Sequence, residues 1–177
     1  MRADASSNRI FGWEVLPGLP GEGPVPLHFH LGHPTPWSEG FVIRFWNEDG
    51  TDWVANFQYG TTHFNLAIKP PDSDLTVIVS HGACYLLPQC DPERMILADC
   101  DVSMAIIGES GSLVVATYDS VHALDRHGKV AWRRDDFAAD PLTLLSCVSG
   151  VVELKIEDWE GMRRTMRLSE SDGRDLP

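Results

Sequence analysis

From Ser38 to Leu168 apolar and polar residues alternate with a period of two, and this pattern constrains the chain more than any other feature. In a pleated strand successive side chains point to opposite faces, so the alternation describes ribbons with one buried face. Phe41, Ile43 and Phe45 share one face, with Val42, Arg44 and Trp46 opposite. AsnGluAspGly at 47–50 supplies a turn, and Trp53, Ala55 and Phe57 resume the alternation on a return strand. Further strands are expected at 64–68, 75–80, 83–87, 102–107, 113–117, 121–124 and 130–133, with Gly, Asp or Pro in nearly every gap.

The last hairpin fixes its own register. Val152, Leu154 and Ile156 must share a face with Arg164, Met166 and Leu168, and only an odd-length loop allows that. A loop at 158–162 sets Glu157 opposite Arg163 and Glu153 opposite Arg167, opposite charges that support the pairing. Helix signals reduce to AspProGluArg at 91–94, with Asp91 as N-cap and Pro92 in the first helical position, while Pro141 interrupts 137–145.

Residues 1–36 carry Pro17, Pro20, Pro24, Pro26, Pro34 and Pro36 among several glycines, which forbids helix and allows only short extended pieces. The expected fold is therefore all-β: a single domain in which an antiparallel meander of hairpins over 38–170 forms a β-sandwich or a partial propeller-like body. A Pro/Gly-rich arm at 1–37 precedes it and a tail at 171–177 follows.

One internal echo bears on architecture. LeuThrValIleValSerHisGlyAlaCysTyrLeuLeu at 75–87 aligns with SerLeuValValAlaThrTyrAspSerValHisAlaLeu at 112–124, each a strand, a tight turn and a strand. The second copy continues into AspArgHisGlyLysValAlaTrp at 125–132, which resembles a hairpin of a quinoprotein-type β-propeller blade. No quinone or calcium motif accompanies it. The chain is also similar to uncharacterised bacterial all-β proteins that carry patterns such as GluGlyPheValIleArgPhe (39–45) and AspTrpValAlaAsnPheGln (52–58). These resemblances imply shape and no activity.

Acidic residues number 26 against 14 basic ones, a net charge of -12 that repels nucleic acid and anionic lipid and suits a basic protein partner. No stretch approaches the roughly 18 apolar residues that cross a bilayer, and residues 1–8 are polar, so a cytoplasmic location is expected. None of the cysteines, Cys84, Cys90, Cys100 and Cys147, forms a CxxC pair, and reduced thiols are expected.

His28 and His30 project from one face of an extended LeuHisPheHisLeu, about 7 Å apart, a spacing at which two imidazoles can share a metal. His33, Glu39 and His63 are the candidate companions. The HxH resembles the opening of a cupin metal site, although the glutamate that closely follows it there stands nine residues after His30 here. The same histidines suit a solvent-facing or core-packed role. Among six tryptophans, Trp37 and Trp159 lie in loop contexts typical of interface anchors, and Asp135, Asp136 and Asp140 make an acidic patch. Carboxylate groups at 48–52 and 99–101 have the solvated surroundings of turns. No GxSxG elbow and no phosphate-binding loop is present, which removes the commonest enzyme classes.

The leading expectation is a non-enzymatic binding protein, for example an immunity-type inhibitor that masks a basic partner such as a bacterial toxin, with no cofactor. The rival is a metal-binding module or metal-dependent enzyme that holds a transition metal at His28 and His30. A third is a homo-oligomer whose edge strands pair with copies of itself.

Overall fold

A computed structural model describes residues 9–32, 38–135, 137, 142–157 and 160–177. The fold is all-β, and no described helix is long and apolar enough to cross a membrane. The chain divides into two compact units, one drawn from Met1–Ala67 and Thr76–Cys100, the other from Ile68–Leu75 and Asp101–Pro177.

In the first unit β1 (Ile10–Val15), β2 (Leu27–Phe29), β3 (Phe41–Asn47) and β4 (Asp52–Phe57) form a sheet in the order β1-β3-β4-β2. The expected hairpin has its expected register, with Phe41 opposite Phe57, Ile43 opposite Ala55 and Phe45 opposite Trp53. The Pro/Gly-rich segment supplies β1, antiparallel to β3, and β2, parallel to β4. Pro17, Pro20, Pro24 and Pro26 fall between these two strands, where no ladder amide is needed. A meander follows: β5 (Leu66–Ile68), β6 (Leu75–Ser80), β7 (Ala83–Pro88) and β8 (Ile96–Asp99), in the order β5-β6-β7-β8. His81 (φ 46) and Gly82 (φ 93) both take left-handed backbone between β6 and β7, which is the demand of a type I′ turn. Between β7 and β8 one 3-10 turn spans Pro92–Arg94 with Asp91 at its N-cap.

Ile43, Phe45, Ala55 and Phe57 share one buried core with Ile78, Ala83, Tyr85 and Leu87. Within it Phe45 stacks on Trp53 at 4.4 Å and Phe57 tilts against Tyr85 at 5.2 Å, ring pairs that add about 0.5–1.5 kcal/mol each beyond the area they bury. The Tyr85 hydroxyl escapes the apolar cost by donating to the Gln58 carbonyl at 2.8 Å.

The second unit holds β9 (Met104–Ile107), β10 (Leu113–Ala116), β11 (Val121–Leu124) and β12 (Val130–Arg134) in the order β12-β11-β10-β9, and β13 (Thr143–Val148), β14 (Val151–Glu157) and β15 (Arg163–Ser169) in the order β13-β14-β15. Val152 faces Leu168, Leu154 faces Met166, Glu153 faces Arg167 and Glu157 faces Arg163, the register that the charges and the apolar face demanded. Val114, Ala116, Val121, Ala123 and Trp132 share a core with Leu144, Cys147, Val152, Leu154, Ile156 and Leu168.

Candidate functional site

Each histidine of the candidate metal set has a defined neighbourhood, apart from His33, which lies outside the described residues. On β2, His28 stands opposite Asn56, and its Nδ1 is 3.1 Å from Asn56 Nδ2. The rings of His28 and His30 stack with centroids 6.1 Å apart. Asn56 is almost wholly buried, donates to the Ser38 carbonyl at 3.0 Å and accepts from the Gly40 amide at 2.7 Å. Glu39 turns to the Leu19 amide, which donates to its Oε1 at 2.5 Å. His63 meets His81 edge-on, centroids 6.0 Å apart, while Tyr59 stacks on His81 at 4.0 Å. Among the described residues no three His, Cys, Asp or Glu side chains converge on a point that would hold a metal.

Of the candidate partner-binding residues, Asp135 is exposed and accepts from Arg133 Nε at 2.6 Å. Trp37, Asp136, Asp140 and Trp159 lie outside the described residues.

At one end of the first unit, β4, β2 and the turn after β7 enclose a hollow of about 350 Å³. Leu27 and Trp53 give it an apolar wall, and Asp52, Asp91 and Glu93 line it with carboxylates. The adjacent β3–β4 turn adds Glu48 and Asp49. Local chemistry builds that turn: the Asn47 amide donates to the Thr51 carbonyl at 2.9 Å, and Asp49 Oδ1 accepts from the Thr51 hydroxyl at 2.6 Å and its amide at 2.9 Å. Those bonds, the hydroxyl first, hold the Asp49 carboxyl below its ordinary range. Arg44 Nη2 pairs with Asp52 at 2.7 Å, and Arg94 with Asp91 at 2.9 Å, both at the surface. Glu48 and Glu93 have no ion-pair partner among the described residues. The full sequence of this unit holds ten carboxylates and four arginines, so its field stays negative after pairing.

No protein-family model and no curated protein matches the sequence.

The second unit contains a carboxylate site with a different character. Glu170, only 6% exposed, follows β15 and sits beside a hollow of about 450 Å³ with Ser110, Ser112, Asp125 and His127. Its Oε1 accepts from both serine hydroxyls, that of Ser112 at 2.7 Å, and from the Ser110 amide at 3.3 Å. The Cys147 side chain hydrogen-bonds the same carboxylate. Burial pushes the Glu170 pKa up, and the serine and cysteine hydrogen bonds outweigh it, so the net shift is downward. A carboxylate so stabilised is a poor proton acceptor for the two serine hydroxyls. It holds the 108–112 loop to the chain after β15. Asp125 is likewise engaged, accepting from the His127 amide at 2.8 Å and the Lys129 amide at 2.9 Å.

Sequence reasoning missed Glu170, although one signal pointed to it. Met166, Leu168 and Glu170 share parity along one strand direction, and the first two face inward.

Proposed function

We propose that this chain is a non-enzymatic binding protein that engages a basic protein partner through the acidic end of its first unit. The observation that carries this reading is the hollow beside Trp53, where Asp52, Asp91 and Glu93 line a wall and Glu48 and Asp49 stand next to it. An aromatic floor with several carboxylates fits a Lys or Arg side chain, which lays its methylenes on the ring and its charge against the acids. Masking of a basic surface is what an immunity-type inhibitor of a cationic toxin would do. Electrostatic steering would then set the association rate and make it fall with salt.

Fluorescence anisotropy with labelled oligo-arginine tests the reading. Binding should weaken about tenfold between low salt and 0.3 M, where screening shortens to well under about 10 Å. It should weaken again in Asp91→Asn/Glu93→Gln, while oligo-glutamate stays unbound. Salt-independent binding, or none, would remove the proposal.

A further inference from the structure

Among the described residues β8 ends its sheet, pairing with β7 on one side only, with Leu86 opposite Ile96, Tyr85 opposite Leu97 and Cys84 opposite Asp99. Proteins blunt such edges with charge, proline or bulged strands, because an unpaired row of amides and carbonyls invites another chain. Three other edges here follow that practice, while β5 and β9 carry no charge and keep every residue at least half-buried. β12 carries Arg133 and Arg134, β15 carries Arg163, Arg164 and Arg167, and β1 is bulged near Phe11. β8 is blunted only at its far end, by a bulge at Ala98 and by Asp99, and it presents Ile96 at 51% and Leu97 at 37% exposed. Asp91 and Glu93, which line the hollow, lie immediately upstream of this edge.

We infer that the partner supplies an extended segment that adds to β8 as a further strand, with apolar residues over Ile96 and Leu97 and a Lys- or Arg-rich end in the hollow. The inference rests on the reading of the first unit as the partner-binding unit. Main-chain hydrogen bonds would give such an added strand its affinity, and side-chain pockets its selectivity. Charge selects this occupant over a second copy of the chain. Residues 91–99 hold Asp91, Glu93 and Asp99 against Arg94 alone, so self-pairing stacks like charges where a basic strand neutralises them.

The test uses the whole chain and three labelled peptides: alternating Val and Thr with an Arg-rich end, the same peptide N-methylated at alternate amides, and oligo-arginine. The unmethylated strand peptide should bind about tenfold more tightly than either of the others. Its binding should protect the amides of Ile96–Asp99 from hydrogen exchange. Ile96→Ser/Leu97→Ser, neutral changes at exposed positions, should erase the advantage and leave oligo-arginine binding intact. Equal binding of the methylated peptide, or no gain over oligo-arginine, would overturn strand addition while the acidic-hollow reading stands. Failure of all three peptides would overturn both. A dimer of the chain alone, abolished by the same double substitution, would assign the edge to a second copy and also overturn the inference.

Discussion

The Ser112 hydroxyl donates to Glu170 Oε1 at 2.7 Å, tying the loop before β10 to the residue that follows β15. The Glu170 carbonyl accepts from Trp132 Nε1 at 2.6 Å, so one residue joins three strands' ends through two different groups. Glu170→Ala leaves both serines and the Cys147 thiol without their acceptor, and the expected loss is about 2–4 kcal/mol in urea-unfolding stability. The folded pKa lies below the ordinary 4.5, so the carboxylate contributes stability above pH 4.5 that disappears as pH falls through the lower folded value. Glu170→Gln should therefore flatten the pH dependence of stability in that acidic window, which midpoint measurements between pH 3 and 6 would read directly.

Asn56 answers for three groups at once: the Gly40 amide, the Ser38 carbonyl and His28 Nδ1. It is 3% exposed, so Asn56→Ala strands the buried Gly40 amide, and a loss of about 1–3 kcal/mol is expected. His28 is exposed, and His28→Ala should cost under about 0.5 kcal/mol. Comparable losses in thermal melts of the two variants would contradict this account.

These two sites show what the sequence could and could not disclose. The β14–β15 hairpin was legible because Val152, Leu154 and Ile156 alternate strictly with polar neighbours, and β3–β4 because Phe41, Ile43 and Phe45 face Phe57, Ala55 and Trp53 across a recognisable turn, although Val42 and Val54 are buried on the other face as well. β13 was not, because a bulge between Leu144 and Ser146 leaves Leu145 exposed and places the buried residues at 144 and 147. β8 was missed for a related reason: at a sheet edge Ile96 and Leu97 are both exposed, and no alternation remains to detect. The acidity of 48–52 was visible in one dimension. The hollow was not, since it needs β2, β4 and the turn after β7 brought together across more than sixty residues of chain.

Gly173 is required twice over. Its φ of +70 lies where side chains are strained, and a Cβ there would stand 2.6 Å from Trp132 Cε3. The indole cannot retreat, because its Nε1 is fixed on the Glu170 carbonyl. Gly173→Ala should thus destabilise the second unit by about 2 kcal/mol or more, with a change in tryptophan fluorescence as the ring is displaced. An unchanged emission maximum together with an unchanged melting temperature would show that the ring has room.

The cysteines give a graded chemical readout of the fold. Cys84 is fully buried on β7, and desolvation, with the nearby Asp99 charge adding to it, pushes its thiol up to about 12. Cys147 on β13 rises to about 12 for the same first reason, reinforced by the negative charge of Glu170. Only the thiolate attacks a disulfide reagent, so at pH 8 both are protected by lack of access and by a negligible ionised fraction. Cys90, in the turn after β7, is exposed and open to the reagent. Under native conditions an aromatic disulfide should modify Cys90 first and leave Cys84 and Cys147 unmodified until denaturant is added. Glu170→Gln removes the charge beside Cys147 alone, so it should speed modification of that thiol relative to Cys84. Equal protection of both thiols in the variant would mean that burial, not the carboxylate, governs Cys147.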